Sequence, residues 1–219
     1  MLNRFISLSL LIIVSNDVIS QGRIGVIVGP QATSANYKVD NKKQPTEYKL
    51  GAQGGITLKI PFENQLYFAP SFYYSLKGYK VKLNKPSYPP GEDAISNNVS
   101  VHIIEVAPLF HFDLSKNAAH PFIQFGPAID IILYGKEKIA LKNGDEVSRN
   151  MKFSFADYGR IAASAIARLG YQLQNEFFFF GHITYGIGSM NNADNGPKIL
   201  HRVYGISVGK YLGGKRQMN

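Results

Sequence analysis

Residues 66–77 read LYFAPSFYYSLK. Taken two apart, Leu66, Phe68, Pro70, Phe72, Tyr74 and Leu76 form one set. Tyr67, Ala69, Ser71, Tyr73, Ser75 and Lys77 form the other. Successive side chains of a strand point to opposite sides of a sheet, so a period of two held over a dozen residues is one long strand. One of its faces is greasy, and the other is small, polar or phenolic.

The alternation recurs on either side of this stretch. Leu50, Ala52, Gly54, Ile56, Leu58 and Ile60 alternate with Lys49, Gly51, Gln53, Gly55, Thr57 and Lys59. Ile123, Phe125, Pro127, Ile129, Ile131 and Leu133 alternate with Gln124, Gly126, Ala128, Asp130, Ile132 and Tyr134. Near the end, Tyr204, Ile206, Val208 and Leu212 alternate with Val203, Gly205, Ser207, Gly209 and Tyr211. Eight such segments can be drawn, at about 22–35, 48–60, 65–80, 99–113, 121–136, 153–171, 177–189 and 200–212. They are long beside the roughly five or six residues of a globular strand. Their connections alternate: 61–64, 114–120 and 172–176 are short, whereas 36–47, 81–98, 137–152 and 190–199 are longer and rich in Lys, Asn, Pro and Gly. An even strand count with short turns at one end and long loops at the other is the layout of an outer-membrane barrel. The expected fold is therefore all-β, an eight-stranded antiparallel up-and-down transmembrane β-barrel. A soluble barrel of lipocalin type, with its greasy face inward, uses the same periodicity. The Gly, Ser, Thr, Gln, Asp, Arg and Lys of the second face suit a narrow lumen better than an open solvent surface.

Composition agrees. The 219 residues include no Cys, no Trp, 13 Tyr, 14 Phe and 21 Gly, and only 18% are charged, against roughly 25% in soluble domains. Without cysteine there is no disulfide framework and no thiolate metal site. Arg4, the apolar run Phe5–Val14 and Val18-Ile19-Ser20 have the form of a signal peptide, placed at 1–20 with cleavage after Ser20. Residues 21–219 then form the barrel domain. Past residue 20 the longest apolar run, Ile161 to Ala167, stops at Arg168, too short for a spanning helix of about 20 residues. In EFFFFGHITYGIG (176–188), Phe177 and Phe179 are expected to continue towards lipid as Ile183, Tyr185 and Ile187. Phe178 and Phe180 would fill a lumen floor beneath His182, Thr184 and Gly186.

SFYYSLKGYK (71–80), IQFGPAIDIIL (123–133), GHITYGIG (181–188) and HRVYGISVGKYL (201–212) resemble, in that order, the PorT-type outer-membrane β-barrel family of Bacteroidota-like bacteria. The similarity covers about residues 22–212, and the order carries it rather than any single motif. Glu105 and Pro108 stand three apart where the family pattern has two, which calls for a bulge or shifted register there. The chain also runs on past Tyr211-Leu212 with GGKRQMN. The resemblance implies an eight-stranded barrel in the outer membrane and no activity. Some relatives serve type IX secretion and gliding machinery.

By strand parity the inward ionisable residues are Lys77, Glu105, Asp113, Asp130, Arg160, Arg168 and His182. A charge in a narrow lumen must pair, because an isolated one carries a heavy desolvation cost. Glu105 and Asp130 are expected to meet Arg160, Arg168 or Lys77 in a network that plugs the barrel, with His182 beside it. The rival role for these residues is a proton or ion path, or a ligand cup. His102, His111, His120, His182 and His201 are scattered, with His120 in a short turn, and no nucleophile–base–acid spacing or zinc-ligand spacing joins them. Gly54-Gly55 lacks phosphate-loop spacing. No catalysis and no cofactor is therefore expected. The formal charge is +9, which raises nucleic acid as a partner. The positive residues, however, sit mainly at the long-loop end (Lys38, Lys42, Lys43, Lys77, Lys80, Lys82, Lys85, Lys136, Lys138, Lys142, Arg149 and Lys152) with acidic residues among them, either as solvated loops or where outer-leaflet lipid and lipopolysaccharide phosphates would face them. The expected role is structural or interactive at the outer membrane. Alternatives are a subunit of a secretion or gliding complex, a small-solute pore, or a soluble lipid-binding barrel.

Overall fold

The computed structural model describes residues 22–212; the expected signal-peptide cleavage after Ser20 lies outside the described residues. Eleven strands follow one another: β1 (Arg23–Val39), β2 (Lys42–Lys43), β3 (Thr46–Glu47), β4 (Lys49–Glu63), β5 (Leu66–Lys82), β6 (Ala94–Asp113), β7 (His120–Leu141), β8 (Glu146–Asn150), β9 (Ile161–Gln172), β10 (Phe177–Gly186) and β11 (Lys198–Leu212). Eight of them, β1, β4, β5, β6, β7, β9, β10 and β11, pair in that order, and β11 returns to β1 in an antiparallel ladder from Ile24↔Leu212 to Lys38↔Lys198. The all-β, eight-stranded antiparallel ring is the expected one. Strands β2, β3 and β8 are short additions at the loop end.

The faces fall as the period requires. Phe72, Ile129, Leu169, Phe179, Ile206 and Val208 are exposed on the outside, while Gln53, Ser71, Lys77, Glu105, Asp130 and Arg168 are buried within. A greasy outside around a polar inside is the reverse of a soluble lipid-binding barrel and needs hydrocarbon around it. Aromatic rings bracket the greasy band. Below are Phe68–Phe110, Phe110–Phe125 and Tyr171–Phe179 neighbours; above are Tyr74, His102 and Tyr134, and Tyr185 with Tyr204. Phe178 and Phe180 turn inward, stacked 6.2 Å apart, with Phe178 4.6 Å from Tyr211.

Three expectations change. Strands β6 and β7 run further than their alternation suggests. The loop expected at 81–98 shrinks to 83–93, and most of 137–152 becomes the β7–β8 hairpin. The segment expected to start at 153 becomes strand only at Ile161. Residues 151–160 instead fold over the ring and bury Met151 and Tyr158 against Tyr79, Ile132 and Ile199. The register between β6 and β7 is unbroken through Glu105 and Pro108; the bulge lies higher, where His102↔Tyr134 is followed by Ile103↔Ile132. Leu133 is the extra residue. An extra residue reverses the parity beyond it, so Tyr134, expected inward, is exposed, and Gly135, Glu137 and Ile139 turn inside.

Candidate functional site

The lumen holds charges at three levels. In the middle, the register sets Glu105 of β6 directly opposite Asp130 of β7. Two carboxylates so placed repel, and Lys77 of β5 resolves this by reaching both, Nζ standing 3.1 Å from Glu105 Oε1 and 2.8 Å from Asp130 Oδ2. Tyr73 donates to Glu105 Oε2 at 3.1 Å. All four side chains are buried, so the cluster ties three neighbouring strands in a medium where charge-assisted contacts are strong.

Arg168 of β9 is buried but stands apart from these carboxylates. It donates to Ser71 Oγ at 3.3 Å and Gln124 Oε1 at 3.2 Å, and its guanidinium lies over the rings of Phe180 (4.9 Å) and Tyr73 (5.3 Å). Arg160 is not in the lumen at all. It lies one residue before β9, its side chain is exposed, and it stacks 4.8 Å over Phe153. Parity does not bind a residue outside the ladder. His182 is 5% exposed beside Phe180, and neither ring nitrogen has a hydrogen-bond partner.

Asp113 belongs to a separate periplasmic floor. Lys59 Nζ is 2.7 Å from both its oxygens, His111 Nε2 2.6 Å and His120 Nε2 2.9 Å from Oδ1, the last poorly aligned for a hydrogen bond. Gln124 donates to His111 Nδ1 at 2.8 Å. Arg23 and Glu176 pair beside this floor, with Arg23 over the Tyr211 ring. Lys59 was visible in the alternation of 49–60, on its polar face. His120, expected in a turn, is the first residue of β7 with its ring buried.

At the loop end, buried Glu137 is the centre. Arg149 Nε donates to it at 2.7 Å, Asn97 Nδ2 at 2.9 Å and Tyr158 Oη at 2.9 Å. Burial, with the Glu137 charge beside it, pushes the Tyr158 phenol well above its ordinary pKa and keeps it a donor. Arg149 also donates to Pro90 O at 2.8 Å, which fastens the 83–93 loop. The alternation hid this level, because the Leu133 bulge reverses which residues point inward. Outside it, Lys38 stands opposite Lys198 of β11 and Lys43 of β2. Among the described residues, no group of three or more His, Cys, Asp or Glu is arranged to hold a metal ion.

An antiparallel ring of eight strands with a greasy exterior and a paired polar lumen defines a transmembrane β-barrel of the outer-membrane kind. Residues 19–192 match the model of the outer membrane protein beta-barrel domain family; the chain belongs to that family and is an outer-membrane protein. No curated protein matches it. Among solved structures it is similar to the attachment invasion locus protein Ail of Yersinia pestis in complex with the heparin analogue sucrose octasulfate (14% identity, covering 88% of this chain and 99% of that one, TM-score 0.46). It is also similar to OprG of Pseudomonas aeruginosa (14% identity, 88% and 97%, TM-score 0.49) and to Neisserial surface protein A (12% identity, 86% and 97%, TM-score 0.46).

Proposed function

We propose that this chain is a non-catalytic outer-membrane barrel with a filled lumen, whose loop-end lysines hold it to the phosphates of lipopolysaccharide. The observation that carries the reading is the row Lys43–Lys38–Lys198. Like charges directly opposite across strands are destabilising, and no ion pair among the described residues includes any of the three. Lys80 and Lys82, by contrast, share Glu47, and Lys85 meets Asp40. A phosphate on the outer leaflet would relieve the repulsion, just above the Tyr185–Tyr204 belt that marks the lipid interface. The filled lumen, from Glu137 down to Asp113, supports a structural role over a conducting one. The test is lipopolysaccharide binding by the purified protein in micelles. The triple variant Lys38→Gln, Lys43→Gln, Lys198→Gln should bind at least tenfold more weakly, and wild-type binding should fall with salt. Equal binding by the two proteins would refute the anchor.

A second reading is a PorT-like subunit of a secretion or gliding complex. The order of resembling segments supports it, as does Phe155, 95% exposed on the loop that covers the ring, where a lone aromatic suits a partner surface. Co-purification of partner proteins from native membrane, lost on Phe155→Ser, tests it.

A further inference from the structure

Above the aromatic belt, one stretch of the outer wall is built entirely of donors. On β5, β6, β7 and β8 the registers set two outward rows, one above the other. The lower row is Gly78, Ser100, Lys136 and Asn150, and the upper is Lys80, Asn98, Lys138 and Ser148. Directly below runs Leu76, His102 and Tyr134, with the His102 ring between those of Tyr74 and Tyr134. Interfacial aromatics of this kind sit at headgroup level, so the two rows face the headgroup layer. None of their eight residues is a carboxylate. On β7 this follows from the extra residue Leu133, which shifts the parity so that Lys136 and Lys138, rather than Glu137, stand outside.

Lys49 organises the patch. Its stem crosses Gly78, where a Cβ would meet Lys49 Cδ at 3.3 Å and Val99 O at 2.5 Å. Its ammonium donates to Asn98 Oδ1 at 2.6 Å, Val99 O at 2.9 Å and Ser100 Oγ at 2.7 Å. An ammonium only donates, so it engages the oxygen of the Asn98 amide and leaves Nδ2 as a free donor, and it leaves Ser100 its hydroxyl hydrogen to give. Asn150 is oriented likewise, its Oδ1 accepting from Tyr134 Oη at 2.9 Å. Lys136 stands opposite Ser100 and Lys138 opposite Asn98. Both lysines are exposed, and no ion pair among the described residues includes either. Two unpaired ammoniums beside oriented neutral donors match a phosphate monoester, which carries roughly −1.5 to −2 charge at pH 7 and three strong acceptor oxygens.

We infer that Asn98, Ser100, Lys136 and Lys138 form a binding site for the phosphate monoester of an outer-leaflet glycolipid. The phosphoryl oxygens accept from these four side chains, and the acyl chains run down the greasy wall past Leu76 and His102. The site rests on the lipopolysaccharide reading but not on its Lys43–Lys38–Lys198 row, which lies on β2, β1 and β11.

The test uses the full chain carrying Lys38→Gln, Lys43→Gln and Lys198→Gln, so that the row contributes nothing. Binding is measured in detergent micelles for lipid A bearing its phosphates, for the same lipid after phosphatase treatment, and for the phosphodiester lipid phosphatidylglycerol. Phosphorylated lipid A should bind at least tenfold more tightly than the other two. Adding Lys136→Gln and Lys138→Gln should remove that preference. Asn98→Leu with Ser100→Ala leaves the charge unchanged and should still reduce it several-fold, which diffuse attraction to lysines would not. Equal binding of the three lipids, a preference that survives Lys136→Gln with Lys138→Gln, or no effect of the charge-neutral pair would overturn the site while leaving the lysine row standing. Inorganic phosphate competing as well as the lipid at equal concentration would also overturn it, in favour of free phosphate. Should the charge-neutral pair fail to fold, the two exposed lysines decide the question alone.

Discussion

Lys77 stands between two buried carboxylates, 3.1 Å from Glu105 Oε1 and 2.8 Å from Asp130 Oδ2. Without it, Glu105 and Asp130 face each other across adjacent strands with no cation in contact. Removing one partner of a buried ionic cluster costs about 3–5 kcal/mol, so Lys77→Met should unfold in urea, in micelles, at a clearly lower midpoint. Adding Glu105→Gln and Asp130→Asn should restore much of the loss, since no charge is then left uncompensated. Unchanged midpoints in the single variant would mean that the cluster does not hold the strands. The alternation had already placed Lys77, Glu105 and Asp130 inside. It could not say that Lys77, rather than Arg168, would reach the carboxylates, because that depends on which strands are neighbours and at what height.

At the scale of the element, the Leu133 bulge decides which way the top of β7 faces. It turns Glu137 into the lumen, where Arg149, Asn97 and Tyr158 meet it. It also sends Lys136 and Lys138 outwards, on the same face as exposed Tyr134. Deleting Leu133 makes Ile103↔Ile132 and His102↔Tyr134 consecutive pairs of a regular ladder and leaves Glu137 facing its three donors. Folding into lipid vesicles, followed by the mobility difference between boiled and unboiled samples on an SDS gel, should show a folded fraction within about twofold of wild type for the deletion. A several-fold lower folded fraction would mean that the twist the bulge adds is itself needed. Period-two reading carried the lower part of β7 correctly through Asp130 and Ile132. It failed from Tyr134 on, because a bulge is set by pairing with β6 and leaves no mark in the spacing.

Taken whole, the lumen carries buried side chains at successive levels. The Glu137 level rests on the cluster of Tyr37, Tyr79 and Met151. Below the Lys77 level lie Leu109, Phe122, Phe178 and Phe180, and then the Asp113 floor. An eight-stranded ring leaves an interior just wide enough for side chains to fill. The wild-type protein in planar bilayers should therefore show no stable conductance steps. Glu137→Ala alone should add none, because the lower layers stay in place. Steady steps from the wild-type protein would overturn the filled-lumen reading and favour a small-solute pore.

The sequence by itself determined the class of fold. A period of two sustained over twelve or more residues, repeated eight times between alternately short and long connections, admits only long strands with opposite faces. A greasy face paired with a face of Gly, Ser, Gln and a few charges assigns one side to lipid. It also determined that charges on the inner face must find partners. Tertiary structure alone decided which partners. Asp113 joined Lys59, His111 and His120 at the floor, Arg160 left the lumen with a loop, and Glu137 entered it through a bulge. The outward pairs Ser100 with Lys136 and Asn98 with Lys138 exist only because β6 and β7 meet in one register above the bulge. Strand parity is a local property written in side-chain order, whereas height and neighbour across a ring are set by ladder register, which no single strand encodes.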